Sequence, residues 1–373
     1  MPMRARDLGI VIGLMPPGTN NAITDVEGVR VGHATLVDGD GPLVVGAGPV
    51  RTGVTVILPH DGEIGPEPVF AGTHTLNGNG ELTGLEWVRE SGLLTTPIGL
   101  TNTHSVGVVR DALVTASIHG APHDQPRWAL PVVGETWDGY LNDIDGQHVT
   151  AEHVFAALAV AAAGPVTEGN AGAGTGTKAF GFKAGIGTSS RVVSEAHGGH
   201  TVGVLVQANH GRRHRLSIDG VPVGREITQE EVPGPDLPRP DGGSIIVVVA
   251  TDAPLLPHHC RRLAQRASLG IARGGGGGEH DSGDLVIAFA TGNRGLRPEE
   301  DEEAPPHAEV RMLNDVHIDA LFWAAIEATE EAIVNALVAA ETMTGRDGIT
   351  FHAIPHDRLR AVMARYGRGG SPG

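Results

Sequence analysis

Two short runs constrain this chain more than anything else in it: Ser244–Ala250 (SIIVVVA) and Asp284–Ala290 (DLVIAFA). Both are nearly continuous in apolar residues, and both are too short for an ordinary helix. A strand with one wet face alternates apolar and polar side chains; a run that does not alternate must be covered on both faces. The chain therefore needs a central sheet with further layers packed on each side. Other segments read as strands because they are β-branched and bounded by Gly or Pro: Val26–Leu36, Arg51–Leu58, Pro131–Trp137, Val202–Ala208 and Leu216–Val223. Helical spacing is clear over Leu255–Ala272, where Leu256, Cys260, Leu263, Ala264, Ala267 and Ile271 share a face. It is clearest over Asp319–Met343, with Asp319 the expected N-cap and Gly345 just past the end. Ala151–Ala163 stops at Gly164-Pro165, and Leu82–Glu90 and Ser105–Ala116 carry weaker helical patterns. Strands and helices interleave along the whole length, so the class is α/β or α+β with layers.

Composition narrows the function. The formal net charge is −17, which argues against non-specific binding to nucleic acid or to an anionic membrane. No apolar run reaches membrane-spanning length. The only cysteine, Cys260, rules out an intrachain disulfide and leaves no thiolate cluster for zinc; at its helical position it reads as core. Arg4 and Arg6 precede a short Leu8–Leu14 stretch that Pro16-Pro17-Gly18 breaks too early for a secretory signal, so a cytoplasmic location is expected. The acidic run Glu299–Glu303 reads as a solvated loop.

The most informative junction lies at the end of Gln229–Gly243 (QEEVPGPDLPRPDGG), a proline-rich, acidic linker that cannot be a helix or a central strand. It runs directly into Ser244. On local sequence alone two readings stand: Gly242-Gly243 is a turn and Ser244 merely opens a strand, or Ser244 is an N-terminal nucleophile released by self-cleavage. In the second, the hydroxyl attacks the Gly243 carbonyl, the ester hydrolyses, and the freed α-amine serves as the base, having a reference pKa of roughly 7.7–8. Glycine suits the position before the cut because it tolerates strained dihedrals. Other signatures are missing: there is no G-x-S-x-G, S-x-x-K or H-E-x-x-H. His119/His123 and His210/His214 are spaced four apart, but Gly-Ala-Pro and Gly-Arg-Arg lie between, so no metal is expected. The stretch Gly169–Lys178 (GNAGAGTGTK) lacks the GK[ST] ending of a phosphate loop and reads as closely packed backbone beside a cleft, and Gly274–Gly278 reads as a mobile connector.

The ordered blocks resemble a known family. They are Asp7–Leu36, Asn77–Ala112 (opening NGNGELTGLEW), Val132–Ile144 (VVGETWDGYLNDI), Gly169–Arg191, Val202–Leu216 (VGVLVQANHGRRHRL), Gly242–Ala267 (opening GGSIIVVVATDAP), Ser282–Asn293 (SGDLVIAFATGN) and Glu327–Gly348. Over nearly the full length the chain resembles the self-processing β-aminopeptidases and L-aminopeptidase/D-amidase/D-esterases of peptidase family S58. The resemblance implies an αββα sandwich forming a single catalytic α/β domain over 1–373, and scission between Gly243 and Ser244 into a 1–243 and a 244–373 polypeptide that stay together in it. It implies Ser244 as nucleophile, with Ser282 and Asp284 orienting and tuning it; some relatives have Glu where Asp284 stands. Asn209 matches the asparagine that helps stabilise the oxyanion, and Glu135 the carboxylate that pairs with the substrate's free amino group. Trp137 matches a variable pocket position, tyrosine in some relatives. The expected substrates are short peptides, amides or esters with a free amino terminus. No cofactor is implied, and the expected assembly is a homo-oligomer, a tetramer of αβ units. Two alternatives are acyl transfer, as in the related ornithine acetyltransferase-like enzymes that use threonine, and a non-catalytic binding relative.

Overall fold

The computed structural model describes residues 2–119, 128–237, 243–298 and 301–368. Two sheets stack face to face. The smaller has the order β1-β2-β5-β6, from β1 (Arg30–Asp38), β2 (Val50–Leu58), β5 (Ile98–Asn102) and β6 (Val132–Thr136). The larger has the order β4-β3-β12-β11-β10-β9. Its strands are β3 (Val69–Gly78), β4 (Leu93–Leu94), β9 (Ile186–Val192), β10 (Thr201–Asn209), β11 (Gly243–Thr251) and β12 (Ser282–Ala290). Two small ribbons complete the strands: β7 (Lys178–Ala179) with β8 (Phe182–Lys183), and β13 (Met343–Thr344) with β14 (Thr350–Phe351). The helices are α1 (Leu85–Ser91), α2 (Val106–His119), α3 (Ala151–Ala159), α4 (Val223–Glu226), α5 (Pro257–Arg273), α6 (Ile318–Val338) and α7 (His356–Arg365).

The two apolar runs become the paired central strands β11 and β12, and their alternation fills two different cores. Ile245, Val247 and Val249 join Val286, Ala288 and Ala290 in a cluster with α5 and α6. Ile246, Val248, Leu285 and Ile287 face Ile57, Ile98, Leu100 and Val132 of the other sheet. A third cluster, with Val54, Val56, Val109 and Val154, lies between the smaller sheet and helices α2 and α3. Helix, sheet, sheet, helix is thus the layer order, and each fully buried Val, Ile or Leu contributes roughly 1.5–3 kcal/mol of transfer free energy. Among the described residues, no helix is long and apolar enough to cross a membrane.

The helix α6 carries a charged face into this core. Arg191 of β9 is fully buried and pairs with Glu331 at 2.7 Å and Glu327 at 3.3 Å; Arg6 reaches Glu331 at 2.8 Å. Removing one partner would strand the others without water.

Several expectations need correction. Val26–Val29 is a turn rather than the start of β1, and Leu216–Val223 is not a strand. Asp219 and Gly220 both have positive φ, 48° and 76°, and fold Ile218 back onto Val221. Helix α6 starts one residue before Asp319, with His317 at the cap, and ends at Val338 rather than near Met343. Beyond it, Asn170 holds Glu341 from both sides, its Nδ2 donating to the Glu341 carbonyl at 2.9 Å and its Oδ1 accepting from the Glu341 N–H at 3.3 Å. The glycines after α5 pack closely rather than spanning free space: a Cβ on Gly275 would sit 2.0 Å from the Arg215 carbonyl oxygen. Gly242, His123 and the first two residues of the acidic run lie outside the described residues.

Candidate active site

The site sits where the two sheets open at one end. Asn209 ends β10 and Ser244 lies next to the start of β11, and the antiparallel register places them opposite each other. Parallel pairing with β12 places Gly243 beside Ser282, Ser244 beside Gly283 and Ile245 beside Asp284. A cavity of about 560 Å³ opens here, lined by Ser244, Gly243, Asn209, Glu135, Trp137 and Thr103, with Tyr140, Asp281 and the loop residues Asn79–Glu81 completing the wall.

The Ser244 hydroxyl donates to the Gly243 carbonyl oxygen at 2.7 Å and accepts from the Gly283 N–H at 3.3 Å. The nucleophile candidate and the peptide group before it are therefore in direct contact. Gly243 lies in extended strand rather than in a left-handed conformation. Its glycine is required for a different reason from strained dihedrals: a Cβ would sit 2.6 Å from the Asn209 carbonyl oxygen and 2.7 Å from the His210 Cα. Asn209 is itself fixed at both ends. Its Oδ1 accepts from the Lys178 N–H at 3.1 Å, and its Nδ2 donates to the Trp137 carbonyl at 3.0 Å. The second Nδ2 proton is not used by that bond.

Ser282 donates to Asp284 at 2.6 Å. These two share one face of β12, while Gly283, the residue paired with Ser244, belongs to the other. Among the described residues no hydrogen bond joins either side chain to Ser244; the link is the Gly283 N–H between them. Burial pushes the Asp284 carboxyl up to about 6, with the Ser282 hydrogen bond opposing and Glu279 adding to the rise.

Glu135, in β6 on the opposite sheet, is almost fully buried. Its Oε1 accepts from the Glu81 N–H at 2.9 Å, and its Oε2 accepts from the Thr103 hydroxyl. Burial raises its carboxyl above the ordinary value, while these two donors pull it down. Gly80 makes the approach possible, since a Cβ there would lie 3.1 Å from Glu135 Oε1 and 3.1 Å from the Gly283 Cα. Trp137 lies just past β6, 39 % exposed, edge-on to Tyr140 at 4.7 Å between ring centroids. It lines the cavity, and its main-chain carbonyl accepts from Asn209 Nδ2.

The structure thus brings Ser244, Gly243, Asn209, Glu135 and Trp137 to one cavity and leaves the side chains of Ser282 and Asp284 on the opposite face of β12 from Gly283. Sequence reasoning missed Thr103, Tyr140 and the Asn79–Glu81 loop. The cue available was the NGNG stretch, whose glycines mark close backbone approach. The Gly169–Lys178 stretch is closely packed backbone: Cβ atoms on Gly174 and Gly176 would lie 2.3 Å from Ile186 N and 2.1 Å from the Arg51 carbonyl oxygen. Cys260 is buried, and burial pushes its thiol up, away from nucleophilic use.

Comparison with known proteins decides the family. The sequence profile of Peptidase family S58 matches residues 21–351. The chain belongs to peptidase family S58. It is 48% identical to the beta-peptidyl aminopeptidase BapA of Sphingosinicella microcystinivorans, over 98% of this chain and 93% of that protein. A solved beta-aminopeptidase from a Burkholderia species is 54% identical, with a TM-score of 0.91 covering 99% of this chain and 100% of the other. The L-aminopeptidase D-ala-esterase/amidase of Ochrobactrum anthropi, described as a variant of the Ntn hydrolase fold and a prototype for the serine aminopeptidases, is 46% identical, with a TM-score of 0.88 covering 98% of this chain and 99% of that one. This S58 chain therefore has the layered Ntn-hydrolase fold.

Proposed function

We propose that this chain is a self-processing serine aminopeptidase that releases N-terminal β- or α-amino acids from short peptides, amides or esters. One observation carries the reading: Ser244 Oγ touches the Gly243 carbonyl at the mouth of a cavity whose far wall holds a buried carboxylate, Glu135. In the maturation step, Oγ bonds to the Gly243 carbonyl carbon, the C–N bond to Ser244 breaks, and the Oγ proton passes to the departing nitrogen. Water then hydrolyses the ester, leaving a Gly243 carboxylate and a Ser244 with free hydroxyl and free amine. In turnover, that amine accepts the Oγ proton as Oγ attacks the substrate carbonyl, and returns a proton to the leaving amine. Water deacylates the enzyme by the same route. Asn209 Nδ2 is placed to donate to the oxyanion. Glu135 pairs with the substrate ammonium; a capped terminus would leave the buried carboxylate unpaired. Ser282 and Asp284 act through the Gly283 segment, setting the position and field of the new amine.

The names of similar proteins support both classes of amino acid, β from the beta-peptidyl aminopeptidases and α from the L-aminopeptidase. A tetramer of αβ units and a cytoplasmic location belong to the same reading, the first from family resemblance and the second from composition; light scattering and cell fractionation test them. The function is tested by offering β-alanyl and L-alanyl p-nitroanilides with and without an N-acetyl cap. Nitroaniline release from the free amines alone supports it; equal release from the capped compounds overturns it.

A further inference from the structure

Glu135 is held by two donors of different kinds. The Glu81 N–H comes from the main chain of the loop after β3 and cannot be removed by exchanging a side chain. The other is the Thr103 hydroxyl, which itself lines the cavity. Thr103 is well anchored. It follows Asn102, the last residue of β5, whose Oδ1 accepts from the His104 N–H at 3.0 Å and whose Nδ2 donates to Thr52 at 2.7 Å. Each Glu135 oxygen thus has one protein donor and keeps acceptor capacity for a ligand.

We propose that Thr103 is the positioning residue for Glu135, its hydroxyl fixing the carboxylate toward the substrate's ammonium group. This rests on the reading of Glu135 given above. The surroundings explain why such a donor is needed. Burial opposes the charged form of Glu135, and so does the neighbouring Glu81. Asp138, following β6, is affected in turn: burial pushes its carboxyl up to about 7, and Glu135 adds to the rise. His104, in the turn before α2, favours the carboxylate only when protonated, and it also faces Asp145 at 3.2 Å. A hydrogen bond to an ion is the main local force keeping Glu135 charged as pH falls.

The test compares Thr103→Val, Thr103→Ser and Glu135→Gln on a β-alanyl p-nitroanilide between about pH 6 and pH 8.5. Loss of a hydrogen bond to a buried charge should raise KM of T103V about tenfold near pH 6, with the gap shrinking to about twofold near pH 8.5 and kcat within about twofold throughout. The sign follows from removing a group that lowers a carboxyl pKa: the carboxylate is lost at higher pH, so KM rises earlier on acidification. T103S should restore the wild-type profile. If E135Q raises KM while T103V leaves the KM profile unchanged, the Thr103 inference fails alone. If E135Q leaves KM unchanged, the Glu135 reading fails beneath it. Where T103V does not accumulate folded, T103A against T103S carries the same comparison, and equal losses in both overturn the proposal.

Discussion

Two buried carboxylates flank the start of β11, and they are satisfied differently. Glu135, from the four-stranded sheet, receives a hydroxyl and a main-chain N–H and lines the cavity. Asp284, from the six-stranded sheet, receives the Ser282 hydroxyl and lies on the face of β12 away from the residue paired with Ser244. Burial raises both. The difference separates a carboxylate that lines the cavity from one that packs behind it. The carboxylate with more donors to its ionised form, open to the cavity, is equipped to meet a cation. The other, with an ordinary value displaced to about 6, is equipped to respond to protonation near neutral pH.

Substitutions can break or sharpen this contrast. Ser244→Ala removes the proposed nucleophile; it should leave the chain uncut on a denaturing gel and lower turnover by about 10⁴-fold or more. Asn209→Ala should lower kcat by about 10²–10³-fold and slow fragment formation, read from nitroanilide kinetics and gels. Glu135→Gln should lower kcat/KM by about 10²-fold, chiefly through KM, because a buried ion pair loses one partner. Asp284→Asn should act on kcat instead: the wild-type kcat falls as pH drops through about 6, and the variant should lose that acidic limb, with an effect of about tenfold at neutral pH. The smallest effect concerns stability. A carboxyl raised in the folded state contributes stability that is full below its unfolded value and lost as pH rises through about 6. Asp284→Asn should therefore gain melting temperature relative to wild type at pH 8 over pH 4, by about 2 °C in calorimetry. Equal shifts in KM and kcat for the two carboxylate variants would erase the distinction.

The sequence reveals some elements and hides others for physical reasons. Strands β11 and β12 are legible because both faces are buried against apolar layers, so nothing polar interrupts them. Strand β9 is buried too, yet it carries Ser189, Ser190 and Arg191, whose partners Asn21, Glu327 and Glu331 come from distant segments, and hydropathy cannot find it. Strand β3 is hidden by Gly72, where a Cβ would lie 2.3 Å from the Arg261 main-chain nitrogen of α5. In the site, the residues at strand ends, Ser244, Asn209 and Glu135, are legible through the family blocks. Thr103 opens a 3-10 turn and Glu81 lies in a loop, and what they do depends on Glu135 being brought across from another strand. The face of β12 that carries Asp284 follows only from the register with β11, which no local pattern states.

The central claim is that Ser244 becomes a chain terminus. Intact mass spectrometry of freshly purified, active protein, followed by N-terminal sequencing, tests it directly. Two polypeptides are expected, the smaller opening with Ser244-Ile245-Ile246 and the larger ending at Gly243. Full turnover by a single unbroken chain of 373 residues would contradict it.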